Sequence, residues 1–131
     1  MGRRRERRFY IREAWVKAES KALLGLLKSF RGEFPVLNVS RRGICFQAGS
    51  PPKEGMNMTL LLDCPAEDEP FALKGTVSWV QRLRGLRLTY AVGVVFDKNI
   101  DAATEGRLVQ LLSDPIRRLQ ARDTGWRRRP A

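Results

Sequence analysis

Residues 71–97 alternate twice between apolar and small or polar side chains. Phe71, Leu73, Val77 and Trp79 interleave with Ala72, Lys74, Thr76 and Ser78, and Leu88, Tyr90, Val92, Val94 and Phe96 interleave with Thr89, Ala91, Gly93, Val95 and Asp97. A period of two puts successive side chains on opposite faces of an extended chain, so these runs predict two strands. The basic loop at residues 81–87 is short enough to join them as a hairpin. Trp79 shares parity with Phe71, Leu73 and Val77, which predicts a place in the core over service as a stacking surface for a base.

The rest of the chain reads in the same way. Residues 14–20 alternate Ala14, Val16 and Ala18 against Trp15, Lys17 and Glu19, although parity alone does not say which set faces inward. Residues 33–39 read as a strand with Pro35 near its start, followed by a turn through Gly43 and a strand over 44–48. Gly49 to Gly55, GSPPKEG, is a strong turn signal before a strand at 56–62 with Met58, Leu60 and Leu62 on one parity. The acidic residues Asp63, Glu67, Asp68 and Glu69 read as a solvated loop. Residues 23–32 combine a short apolar run with an internal glycine and fit either a strand or a turn of helix.

After Asp101 the period changes. Leu108, Leu111, Leu112, Ile116 and Leu119 fit a helical stripe with Asp101 as N-cap. Pro115 interrupts it, and Asp114 before that proline predicts a break and a second helical piece. Residues 1–12 read as a mobile basic arm with little to bury, 13–122 as the domain and 123–131 as a basic tail. Five or six strands at hairpin spacing plus one C-terminal helix describe a mainly β fold, a small antiparallel barrel or sandwich flanked by a helix.

Charge bounds the partner. Lysine and arginine number 25 against 14 acids in 131 residues, a net charge of +11 that favours a phosphate-bearing or otherwise acidic molecule. Histidine is absent, and Cys45 and Cys64 form no CxxC pair, so zinc sites and thiol–imidazole chemistry drop out. No nucleophile–base set or carboxylate pair stands out, and an enzyme is the least supported class. No apolar run is long enough to span a bilayer, and the chain reads as cytoplasmic with reduced cysteines.

The turn Asn38-Val39-Ser40-Arg41-Arg42-Gly43 carries the most specific signal for a ligand. An amide and a hydroxyl two residues apart at a strand end direct hydrogen bonds, and a glycine lets the backbone come close. Asn and Ser are also common at turns simply because they satisfy local backbone groups. Upstream, six of the first twelve residues are arginine, so the RxxxR pairs Arg3/Arg7, Arg4/Arg8 and Arg8/Arg12 are close to unavoidable. Arg41 and Arg42 could contact phosphate, but exposed loop charges are the favoured reading for them.

Taken in order, the arginine arm, a strand, the NVSRRG turn, the GTVSW strand and the GVVF strand end resemble the PilZ domain, a bacterial receptor module for the second messenger cyclic di-GMP. The resemblance covers roughly residues 7–97 and implies a six-stranded antiparallel barrel with a C-terminal helix. It also implies cyclic di-GMP as ligand, with no other cofactor. Carried over by position, it assigns ligand binding to Arg8 and Arg12 of RFYIR and to Asn38, Ser40 and Gly43 of the turn. Arg7 then takes the place associated with holding two mutually intercalated ligands. Because no effector domain accompanies the barrel, such a receptor would signal to a partner protein. The competing readings are a basic nucleic-acid-binding barrel and a PilZ-like protein–protein adaptor without nucleotide binding.

Overall fold

The computed structural model describes residues 8–20, 29–65, 67–85, 87–114 and 119–120. Six strands close a barrel. They are β2 (Trp15–Ser20), β3 (Phe30–Val39), β4 (Gly43–Ala48), β5 (Asn57–Asp63), β6 (Phe71–Leu83) and β7 (Thr89–Phe96). Their order is β2-β5-β6-β7-β4-β3, and the pairing of β3 back to β2 removes both sheet edges. Every pairing is antiparallel. β3 closes the ring by serving two neighbours: Phe30 to Pro35 pair with β2, and Val36 to Val39 pair with β4.

Period-two patterning decides the inner face. Val16 and Ala18 of β2, Met58, Leu60 and Leu62 of β5, Phe71, Leu73 and Val77 of β6 and Val92, Val94 and Phe96 of β7 are all buried in one core. Trp15, the other parity of β2, is 47% exposed, which answers which set faces inward. At one end of the barrel Phe34 stacks on Phe46 at 5.0 Å and on Phe30 at 5.2 Å between ring centroids.

Helix α1 (Ala102–Ser113) follows β7 and is capped as its sequence predicts: the Asp101 carboxylate accepts from the Thr104 N–H at 3.2 Å. Leu108, Leu111 and Leu112 are buried, each contributing roughly 1.5–3 kcal/mol by leaving water. Arg107 fastens the helix to the loop before β6. It donates to the Glu69 carbonyl at 2.6 Å and the Pro70 carbonyl at 3.3 Å, pairs with the Glu67 carboxylate at 3.4 Å and lies 4.2 Å from the Phe71 ring centroid. The acidic loop is therefore not wholly solvated. The Glu67 side chain is only 13% exposed because the helix brings a guanidinium to it.

Two further expectations change. The helical stripe was expected to run on to Leu119, but Leu119–Gln120 form a strand, β8, antiparallel to a short strand β1 (Phe9–Tyr10). Residues 115–118, where the break at Pro115 was expected, lie outside the described residues, as do the tail at 123–131, residues 21–28 and residues 1–7 of the arm. Nor does the packed structure wait until residue 13. Phe9 and Ile11 are buried, and Phe9 pairs with Val39 of β3. The arginine density of the arm hid two apolar side chains that belong to the core.

Candidate functional site

Two β-bulges shape one patch of the barrel's outer surface. A bulge adds a residue to one strand and so exchanges inside for outside beyond it. In β3 the register shifts between Val36 and Asn38. Val36 and Val39 both face the core, and Leu37 and Asn38 are left outside. In β6 the shift falls between Val77 and Trp79, so Val77 and Val80 pack inward while Trp79 turns out. Trp79 is buried, as expected, but outside the main core to which its parity assigned it. It packs with Cys45, Ala91, Leu37 and Leu83 in a separate outer cluster.

Glycine makes room for the indole. A Cβ at Gly93, the residue paired with Trp79, would collide with the ring at Nε1 and Cε2. The absence of a side chain there lets the ring lie against the β7 backbone. Gly43 serves a related purpose, since a Cβ on it would run into the Val94 carbonyl of the neighbouring strand. Close approach of β4 to β7, and not an unusual backbone angle, is what requires glycine at that end of the turn.

The turn between β3 and β4 is organised by Ser40, which is buried. Its hydroxyl oxygen accepts from the N–H of Arg42 and of Gly43, both at 3.2 Å, and its own N–H donates to the Gly43 carbonyl at 2.9 Å. The Arg42 carbonyl in turn accepts from the Phe96 N–H at 2.8 Å, tying the turn to the end of β7. These bonds fix the direction in which Arg42 leaves the backbone.

Arg8, Asn38, Arg42, Gly43, Cys45, Trp79, Gly93 and Val95 come together around one cleft of about 100 Å³. That is smaller than the ~300–1,000 Å³ of a pocket that encloses a ligand, so a ligand here lies against a shelf with much of its body on the rim. Guanidinium groups enter from two directions, before β1 and in the β3–β4 turn. Between them stand a neutral amide at Asn38 and an apolar floor at Trp79, with Val95 52% exposed at the edge. The Cys45 thiol in the wall is pushed up to about 12 by burial, opposed by the positive charge of Arg8. It is a neutral, unreactive group there.

Of the residues singled out from sequence, Arg8, Asn38 and Gly43 line this cleft. Ser40 lies beneath the turn and bonds its backbone. Arg12 is exposed in the turn between β1 and β2 and is not among the lining residues, and Arg7 lies outside the described residues. Arg42 is an exposed loop charge, as expected, and it also lines the cleft. Trp79, Gly93 and Val95 also line the cleft, whereas sequence reasoning weighed only Trp79 and gave it to the core. The available signal was the apolar doublet Trp79-Val80, which breaks strict alternation where the bulge falls.

A family model for the PilZ domain matches residues 2–114. No curated protein matches the chain. Among solved structures, MrkH of K. pneumonia in complex with c-di-GMP superposes with a TM-score of 0.67 at 19% identity, covering 88% of this chain and 53% of that one. Another structure of MrkH, described as a c-di-GMP-dependent transcription regulatory factor, gives 0.63 at 19% identity over 87% and 51%. The Bacillus subtilis inhibitor of motility MotI/DgrA gives 0.55 at 17% identity over 84% and 49%. The chain spans about half the length of these proteins, and at such identities the likeness is one of fold.

Proposed function

The chain belongs to the PilZ domain family, and on that premise we propose that it is a receptor for cyclic di-GMP that binds the nucleotide at the bulge-shaped cleft. The observation that carries the reading is the convergence of Arg8, from the chain before β1, with Asn38, Arg42 and Gly43 of the β3–β4 turn around the floor made by Trp79. Guanidinium forks match phosphate oxygens and the O6/N7 edge of guanine, and an amide such as Asn38 both donates and accepts at a base edge. Trp79 and Val95 offer apolar contact to a purine. Ser40 contributes by holding the turn that presents Arg42.

Beyond Arg8 and Arg42, Arg12, four residues after Arg8, adds a third guanidinium in this reading, and Arg7 a fourth. Two intercalated ligands would bring four phosphate charges together, a repulsion that a local excess of arginine offsets. The expected stoichiometry is therefore two per chain, falling toward one in Arg7→Leu. Occupancy changes the surface around the β3–β4 turn, and a partner protein reads that change.

Calorimetric titration with cyclic di-GMP, GTP and a short single-stranded oligonucleotide tests the proposal. Arg8→Ala should weaken cyclic di-GMP by about 1.5–3 kcal/mol and Asn38→Ala by about 0.5–1.5 kcal/mol. Equal affinity for all three polyanions, with no effect of Asn38→Ala, would replace the receptor with a generic basic surface.

A further inference from the structure

The β6–β7 hairpin carries a surface that the nucleotide cleft does not use. From Phe71 to Phe96 the chain has no Asp or Glu, while it has Lys74, Arg82, Arg84 and Arg87. Pairing continues to Arg82↔Tyr90 and Leu83↔Thr89. Arg82 keeps the inward parity of Val80 and is nevertheless exposed, so the barrel interior has ended and the ribbon runs past it. A side chain at Gly85 would meet nothing within 4 Å, as expected of a convex tip. Leu88, beside that tip, is 55% exposed, more than any other large apolar residue described. Among the described residues no carboxylate pairs with Arg82, Arg84 or Arg87.

The geometry points to docking of this tip on an anionic lipid surface. An apolar side chain among guanidinium groups on a convex ribbon matches the layered chemistry of a bilayer boundary. Phosphate headgroups lie at the depth of the arginines, with hydrocarbon just below for Leu88. A nucleic-acid backbone would use the arginines but leave Leu88 in water, and Tyr90, the aromatic paired with Arg82, is half-buried instead of standing free to stack on bases. An acidic protein would need an apolar recess shaped to the tip. The lipid surface uses both features wherever it is touched.

The test is co-sedimentation of the full chain, without nucleotide, with vesicles of phosphatidylcholine alone and of phosphatidylcholine mixed with phosphatidylglycerol. Omitting nucleotide makes the outcome independent of the cyclic di-GMP reading. The expected result is binding to the anionic vesicles alone. Each of Arg82→Ala, Arg84→Ala and Arg87→Ala should lower partitioning about fivefold, and Leu88→Ser should lower it several-fold even at high salt. These positions are exposed, and unchanged thermal unfolding of each variant confirms that the fold is kept. Undiminished vesicle binding by the triple arginine variant would assign the attraction to the chain's other basic segments and overturn the proposal. So would insensitivity to Leu88→Ser, or tighter binding of a short DNA duplex or of polyglutamate than of the anionic vesicles at the same salt.

Discussion

Gly93→Ala tests the idea that the cleft floor exists because one strand position has no side chain. A Cβ at Gly93 falls 2.8 Å from Cδ1 of Trp79 and closer still to Nε1 and Cε2, whereas carbon atoms pack at about 3.5–4.0 Å. The indole would have to move by roughly an ångström, and Leu37, Cys45, Leu83 and Ala91 hem it in. Overpacking of this kind costs about 1–3 kcal/mol. Alanine recovers up to about 0.5–1 kcal/mol by restricting the unfolded chain, leaving a net loss of roughly 1–2 kcal/mol. Urea denaturation measures it. In a Trp79→Leu background the collision is gone, so adding Gly93→Ala should there be neutral or slightly stabilising, a coupling of about 1–3 kcal/mol. Additive single effects, or a Gly93→Ala protein as stable as the parent, would refute the argument that the ring rests on the glycine.

Ser40→Ala removes the acceptor for the Arg42 and Gly43 N–H groups, and should lower stability by about 1–2 kcal/mol while weakening cyclic di-GMP through a misdirected Arg42. Lost affinity at unchanged stability would instead make Ser40 a direct ligand contact. Burial pushes Cys45 up to about 12 from an ordinary 9.0. Since the folded value is the higher one, its contribution is complete below about pH 9, where the unfolded thiol is also protonated. It is lost as pH rises from there toward 12 at no more than about 1.4 kcal/mol per pH unit. Iodoacetamide at pH 8 should accordingly spare Cys45 in the folded protein and modify it in denaturant, and rapid alkylation without denaturant would contradict its burial.

How much of this was written legibly in the sequence depends on whether alternation held. Where it ran unbroken, as over Met58 to Leu62 and Phe71 to Val77, the strands and their inward faces follow from it. Where a bulge intervened, parity misplaced the residue beyond it, and Trp79 is the case that matters for the site. Asn38 was singled out by its chemistry, but only the bulge between Val36 and Asn38 explains why it faces outward and not into the core. The buried Phe9 and Ile11 were obscured by surrounding arginines, because charge density says nothing about apolar residues at alternate positions. Leu119 fits a helical stripe by its spacing but lies in strand β8, and α1 itself ends at Ser113. The contact of Arg107 with Glu67, forty residues earlier, is a tertiary arrangement with no local signature.

The central claim is that cyclic di-GMP sits on the cleft between Arg8, Asn38, Arg42 and Trp79. Its most direct test is amide and side-chain NMR during a titration with that nucleotide. The account predicts saturable shifts of the Trp79 indole N–H, the Asn38 side-chain amide and the backbone N–H groups of Arg42 and Gly43, all with one dissociation constant. Shifts confined to the β6–β7 hairpin tip, or none at saturating nucleotide, would contradict it.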